Sequence, residues 1–338
     1  MRYYIMPSRD IRRNLATEEY LMDHAPLDEP LLLLYIQNPC VIIGRNQNVY
    51  EEIDLTYLRE QNITLTRRIS GGGAVYDDLG NLSFSFVSRK GDVTFGDYQG
   101  VTTPILNALK EMGAKDVYAG GRNDLYHKGR KFSGNAMYSK NDRTYSHGTL
   151  MYDVDLDVLQ QILTVNKEKI ASKATPSVRK NVTNLKPLLT PDYQTNTTEA
   201  FRDQLILQLY HVDTFSKIKD KVLRLSAEDE REIEALFRKK YANTDWIFGK
   251  SPAFELKNRV RIPKVGIVEV QVATKEGRIS HIRFLGDFFG SLPVSELEKK
   301  LCGKAFRYQA ISDVLNTLTL SDYILHLTNE ECLSLLFS

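Results

Sequence analysis

The chain has 338 residues, long enough for two domains and a sizeable core. Hydrophobic content of 42%, charged content of 26% and a net charge of +2 fit a soluble globular protein and give no case for bulk attraction to nucleic acid or membrane. Three scattered cysteines, Cys40, Cys302 and Cys332, argue against a disulfide framework and suit a reducing cytoplasm. The start, Met1-Arg2-Tyr3-Tyr4-Ile5-Met6, is too soon interrupted for a signal peptide, and the apolar run 31–36 is too short to span a bilayer.

In chain order, residues 2–6 read as a strand and 14–22 as a helix, whose apolar positions approximate one stripe. The run 31–36 is a buried strand and 41–43 another, with a turn at Asn38-Pro39. Cys40, just before that second strand, reads as a small core residue rather than a nucleophile. Gly44-Arg45-Asn46-Gln47-Asn48 follows as a polar loop, and 51–61 as a helix.

Next comes Arg67-Arg68-Ile69-Ser70-Gly71-Gly72-Gly73-Ala74-Val75-Tyr76-Asp77-Asp78-Leu79-Gly80-Asn81-Leu82, flanked by alternation at Ile63/Leu65 and at Leu82/Phe84/Phe86. It reads as strand, glycine turn, short strand, turn and strand. Three glycines in a row suit a place where a ligand or another backbone comes close. Their N–H groups can form an anion-binding concavity, and Arg68 beside them can grip a phosphate or carboxylate. A tight hairpin turn is the other reading of the same glycines. The run is neither a P-loop nor a dinucleotide fingerprint.

Residues 98–112 form a helix ended by Gly113. Gly120-Gly121-Arg122-Asn123-Asp124-Leu125 is a loop entering a strand, and Gly129 is a hairpin tip with Lys131 on the returning strand. Residues 145–152 are a strand with His147 at its start, where the imidazole either packs structurally or serves a site. Residues 155–163 are a helix, and 173–185 a basic loop. Helices follow at 197–211 and 226–242. A boundary falls at Thr244–Pro252, giving domains 1–247 and 253–338. The second domain has strands at 259–262, 266–273 and 279–285 and helices at 294–301, 308–318 and 321–335. The aromatics of Gly286-Asp287-Phe288-Phe289 are expected in its own core. No His/Cys/Asp/Glu cluster has zinc spacing.

The pattern Arg68-x-Ser70-Gly-Gly-Gly-Ala-Val-Tyr-x-Asp78-x-Gly80-Asn81-Leu82 resembles the lipoate-binding loop of lipoate–protein ligases. Further signatures of that family follow in register: Asn14-Leu-Ala-x-Glu-Glu, Gly44-Arg-x-Gln-Asn, Gly121-Arg-Asn-Asp-Leu, Lys131-x-Ser133-Gly134-x-Ala136, His147-Gly-Thr149-Leu and Ser177-Val178-Arg179-x-x-Val-x-Asn-Leu. The resemblance covers nearly the whole chain. It implies an α+β fold: a large biotin/lipoyl-ligase-like catalytic domain of mixed sheets flanked by helices, with a small α+β C-terminal accessory domain. It implies ATP, Mg²⁺ and R-lipoate, activation to lipoyl-AMP, and transfer to a lysine of E2 lipoyl domains or the glycine-cleavage H protein. A cytoplasmic monomer acting without nucleic acid or membrane is expected.

The resemblance carries roles onto residues. Lys131 is the catalytic cation, preferred over Lys128, which lacks the downstream motif; fixed positive charge stabilises the developing oxyanions of adenylation. Arg68, Gly71, Gly72, Gly73, Ala74, Val75, Tyr76, Gly44, Arg45 and Asn81 are assigned to lipoate and ATP. So are Asn123, Asp124, Ser133, Gly134, His147 and Thr149. Ser177, Val178 and Arg179 belong to a loop that closes over the adenylate. Asp124 is the candidate for Mg²⁺ or for orienting Lys131. One departure stands out: the family often has His where this chain has Asp77, which is expected to face away from phosphate. An octanoyl or lipoyl transferase acting through Cys40, or a lipoate-binding protein without catalysis, are the alternatives; a biotin ligase fits the central motif poorly.

Overall fold

The computed structural model describes residues 1–47, 49, 53, 55–163, 181–248, 256–275 and 277–337. The strands are β1 (Arg2–Ile5), β2 (Leu31–Tyr35), β3 (Cys40–Ile43), β4 (Thr64–Arg67), β5 (Val75–Asp77), β6 (Asn81–Arg89), β7 (Val117–Gly120), β8 (Asp124–His127), β9 (Arg130–Lys140), β10 (Arg143–Met151), β11 (Leu256–Ile262), β12 (Gly266–Lys275) and β13 (Arg278–Gly286). A seven-stranded sheet has the order β1-β2-β6-β10-β9-β8-β7, with β1 and β2 parallel and the other pairs antiparallel. A three-stranded sheet, β4-β3-β5, lies beside it, and β11-β12-β13 form a third.

Helix α1 (Ile11–His24) begins three residues earlier than the apolar stripe suggests, because the Asp10 side chain caps it by accepting from Arg12 N. The run Leu31–Tyr35 is buried at every position, since β2 is covered on both faces. Its even-numbered leucines join Leu82, Phe84 and Leu150 under the helices Tyr98–Glu111 and Thr198–Leu209. Its odd-numbered residues join Val87 and Tyr145 under α1 and the helix Ala227–Leu236. Each fully buried apolar side chain contributes on the order of 1.5–3 kcal/mol.

Several expectations are corrected. His147 sits in the middle of β10, not at its start, because pairing with β6 and β9 extends the strand back to Arg143. The run 226–242 is an α-helix to Leu236 followed by a π-helical turn, Phe237–Tyr241. The run 321–335 is two helices, Leu320–Tyr323 and Asn329–Phe337, separated where His326 takes a positive φ of 67°. β7 was not legible: Tyr118 is 46% exposed on this edge strand, so its sequence carries little burial pattern. The segment 249–255, where the sequence places a domain boundary, lies outside the described residues, as does most of the loop 173–185.

Beyond that segment, β12 and β13 bury Val268, Val270, Phe284 and Phe288 against the C-terminal helices. Phe288 thus sits in the C-terminal core as expected. Phe289 does not: its ring lies 5.7 Å from that of Tyr98, and the Arg122 guanidinium lies 4.5 Å over its face. Phe289 is therefore a joint between the two halves. Gly72 N donates to Phe288 O at 3.2 Å, and Gly286 N to Asn46 O at 2.8 Å.

Candidate functional site

The glycine turn links β4 to β5 and forms one wall of a pocket between the small sheet and the large one. The pocket takes in about 590 Å³ of space, open solvent at its mouth included. Leu15 of α1, Ile42 of β3, Ala74, Val75 and Ala136 give it an apolar part. Gly72 has φ +95°, which a side-chain-bearing residue rarely adopts. A Cβ on Gly44 would lie 1.9 Å from Gly72 O, so the loop after β3 must itself be bare where the turn crosses it.

Two arginines hold these loops. Arg68 is 6% exposed and hydrogen-bonded throughout its guanidinium. It donates to Ser70 Oγ at 3.1 Å, Ile42 O at 3.1 Å, and to Gly71 O and Gly73 O at 2.7 Å each. Burial draws its pKa down to about 10, still far above neutrality. Arg68 lines the pocket, yet its donors serve the turn. Arg67 clasps the neighbouring loop, donating to Gly44 O, Arg45 O and Gln47 O at 2.8–2.9 Å and to Ile247 O at 2.7 Å.

Behind the turn runs a buried relay. Ser70 Oγ lies 2.7 Å from His147 Nε2, and His147 Nδ1 lies 3.0 Å from Glu18 Oε2. The Tyr35 hydroxyl donates to Glu18 Oε1 at 3.3 Å. Burial, and then the Glu18 charge, push the Tyr35 phenol well above its ordinary pKa. With Nδ1–H given to the carboxylate, Nε2 accepts from Ser70, whose oxygen in turn accepts from Arg68. Glu18 lies within the Asn14-Leu-Ala-x-Glu-Glu signature, but the sequence assigns it no place in the site.

Lys131 stands at the polar end. Its Nζ lies 2.8 Å from Asp124 Oδ1, and Gly134 is bare beside it: a Cβ there would come within 3.1 Å of Nζ. Asn123 and Asn135 cross-link the same strands through their side-chain amides. Lys128, at the hairpin tip, instead makes an exposed pair with Asp116 at 3.2 Å.

Of the residues singled out from the sequence, Arg68, Gly72, Gly73, Ala74, Val75, Asn123, Lys131, Gly134, His147 and Thr149 line this one pocket. Gly71, Gly44 and Arg45 back the turn instead; Arg45 N donates to Ser70 O at 2.9 Å. Tyr76 joins an apolar cluster on the other side of the small sheet. Asn81 and Ser133 are fully buried, and their side chains engage Ser83 and Asn135. Asp124 reaches the site through Lys131. Ser177, Val178 and Arg179 lie outside the described residues.

Asp77, expected to face away, lines the pocket and is 1% exposed. Its Oδ2 accepts from Gln37 Nε2 at 2.6 Å and from Ser83 Oγ at 3.3 Å. Burial pushes its pKa up to about 7, and neighbouring Asp78 adds to that, while Gln37, Ser83 and Arg68 pull the other way. Cys40 is fully buried, is not among the lining residues, and its thiol is pushed well above its ordinary pKa by burial. It is no thiolate nucleophile, which removes the basis of the transferase alternative.

Two sheets clamped around an apolar pocket with an ion-paired lysine at one end have the architecture of acyl-activating protein ligases. Residues 10–209 match the family "Lipoyl protein ligase A/B catalytic domain", and 251–336 match "Bacterial lipoate protein ligase C-terminus". The chain is 39% identical over 328 residues to lipoate-protein ligase LplJ of Bacillus subtilis, covering 97% of each. LipL1 of P. falciparum, solved in complex with lipoate, superposes with a TM-score of 0.74 at 22% identity, covering 94% of each chain. A lipoate-protein ligase A solved with ATP gives 0.57 at 25% identity, covering 73% of this chain and 98% of that one. The chain belongs to the lipoate–protein ligase family.

Proposed function

We propose that the pocket binds R-lipoate and the neighbouring polar end binds ATP, so that the enzyme forms lipoyl-AMP and pyrophosphate. The lipoyl group then passes to the ε-amine of an acceptor lysine. The observation that carries this reading is an ion-paired lysine, Lys131, in a pocket whose wall also offers the apolar side chains of Leu15, Ile42 and Val75. A slender acyl chain gains by leaving water along Leu15, Ile42 and Val75. Its carboxylate then meets Lys131, a compact cation able to touch both carboxylate and α-phosphate. Charge building on the phosphoryl oxygens during adenylation is stabilised by that ammonium, held in place by Asp124. The Glu18–His147–Ser70 relay and Arg68 fix the glycine turn before substrate arrives.

Among the described residues no group of three or more His, Cys, Asp or Glu is placed to hold a metal. Mg²⁺ would arrive on nucleotide phosphates, with Asp124 the carboxylate at hand. Mg²⁺ would supply charge neutralisation on those phosphates.

We assign residues 1–247 to catalysis and 253–338 to an accessory domain, with Ser177, Val178 and Arg179 covering the adenylate. The acceptors are lipoyl domains of 2-oxoacid dehydrogenase complexes or the glycine-cleavage H protein. The enzyme acts as a cytoplasmic monomer, with neither nucleic acid nor membrane as partner. No helix among the described residues is long and apolar enough to cross a membrane. The test is lipoate-dependent exchange of labelled pyrophosphate into ATP. The expected result is exchange in the wild type that collapses in Lys131→Ala; no exchange in folded wild type would overturn the reading.

A further inference from the structure

A lysine that must touch two substrate groups at once needs its own anchor fixed. Asp124 is that anchor, with Oδ1 2.8 Å from Lys131 Nζ. A carboxylate at the end of a rotatable side chain can swing unless its second oxygen is held as well. Here Oδ2 accepts from the Tyr126 hydroxyl at 3.2 Å. Burial, and then the Asp124 charge, push that phenol up to about 12, so it remains a donor at neutral pH.

The strands are shaped around this contact. Asp124 pairs with Gly120 of β7 and with Gly134 of β9, so a glycine flanks it on each side. A Cβ on Gly120 would lie 3.2 Å from the Tyr126 ring, and one on Gly121 3.1 Å from its hydroxyl oxygen. Bare backbone thus lets the ring lean over to reach Asp124. The ring also stacks on that of Tyr118 of β7, with centroids 5.8 Å apart. A register shift between β8 and β9 sets Lys131 directly across from Tyr126 and takes up Phe132 as an extra residue. Phe132 turns into the apolar layer. Regular alternation from Gly134 would have turned Lys131 to that side instead, away from the pocket it lines.

We propose that Tyr126 is a positioning residue for adenylation, its hydroxyl bracing Asp124 so that Lys131 presents its remaining donors to substrate. The inference rests on the ligase reading above. An ammonium has three donors; Asp124 takes one, which leaves one for the lipoate carboxylate and one for the α-phosphate. Both must point correctly together for the ammonium to stabilise the oxygens on which charge builds. A lysine that swings with its carboxylate loses that alignment. Tyr126 is not among the residues lining the pocket, so it acts through Asp124. Loss of its hydroxyl therefore lowers turnover rather than substrate affinity. Each carboxylate oxygen keeps a further lone pair, so the bracing leaves Asp124 able to meet Mg²⁺.

The test compares full-length wild type, Tyr126→Phe, Asp124→Ala and the double variant in lipoate-dependent pyrophosphate exchange, with melting curves on the same preparations. Tyr126→Phe removes the hydroxyl and keeps the ring on Tyr118. Its exchange kcat should fall roughly 10-fold, with the KM values for lipoate and ATP and the melting temperature near those of the wild type. In the Asp124→Ala background the same change should cost nothing further, because the hydroxyl then has no carboxylate to brace. An unchanged kcat in Tyr126→Phe, a loss that shows in KM or in melting instead, or an equal loss in both backgrounds would overturn the assignment. Absent exchange in the folded wild type overturns the ligase reading and the assignment with it. Normal wild-type exchange beside an unaffected Tyr126→Phe overturns the assignment alone.

Discussion

The two faces of the large sheet are made by alternate residues of the same strands, and they do opposite work. On β6, Leu82 and Phe84 point into an apolar layer under two helices. Ser83 and Ser85, their neighbours, point to the other face, where Ser83 meets Gln37 and Asp77. On β10, Leu150 joins the apolar layer while His147 and Thr149 line the pocket. The apolar face has its packing saturated. The pocket face leaves buried oxygens on Asp77, Asn81, Ser85 and Asn135 without partners among the described residues. One face supplies stability, and the other sets part of it aside for a ligand.

Substitutions on the two faces should therefore separate stability from chemistry. The largest effect expected is from Phe84→Ala, which empties a fully buried site on the apolar face. Unfolding in denaturant should show a loss of about 3–5 kcal/mol, with exchange activity per folded molecule little changed.

Asp77→Asn should move stability the other way, and with pH. Burial raises the folded-state pKa to about 7, while the unfolded value is near 4. The wild type is therefore least penalised below about pH 4 and loses stability as pH rises through 7. Relative to it, the asparagine variant should gain with pH over that window, by about 4 kcal/mol at most. Parallel melting curves at pH 4 and pH 8 would show that the carboxyl is not desolvated as described.

Lys131→Ala should leave melting nearly unchanged, because the Asp124 pair is partly exposed. Its exchange rate should fall by roughly 10²–10³. Glu18→Gln keeps the shape of the relay but turns an amide N–H₂ toward donors. It should cost about 1–3 kcal/mol in thermal unfolding, together with a raised KM for lipoate. The smallest effect belongs to Lys128→Ala, whose exposed pair with Asp116 is worth at most about 1 kcal/mol. Comparable losses of exchange in Lys128→Ala and Lys131→Ala would erase the distinction between the two lysines.

Much of this arrangement is legible in the sequence. The alternation Leu82, Phe84, Phe86 announced β6, and the all-apolar run of β2 announced a strand covered on both sides, because those patterns report local burial. The glycine turn and Lys131 were legible because their motifs are local and distinctive. The roles of Glu18, Arg67 and Phe289 were not. Each acts on a partner far along the chain: His147, Ile247 and Tyr98 respectively. Asp77 was read as facing away; the register of β5 on β3 turns it into the pocket wall instead.

By itself the sequence determined which residues carry charge, which turns must be glycine and which strands must be buried, since these follow from side-chain chemistry and short-range periodicity. Only the tertiary structure decided what the charges are used for. Arg68, assigned from sequence to a ligand, has its guanidinium bonded to the carbonyls of the glycine turn, and Asp77 is bonded to Gln37 and Ser83 in the pocket wall. The reason is physical: a hydrogen bond or a desolvated carboxyl depends on which elements lie side by side, and here β6 pairs Asn81 with Met151 of β10 while α1 brings Glu18 onto His147.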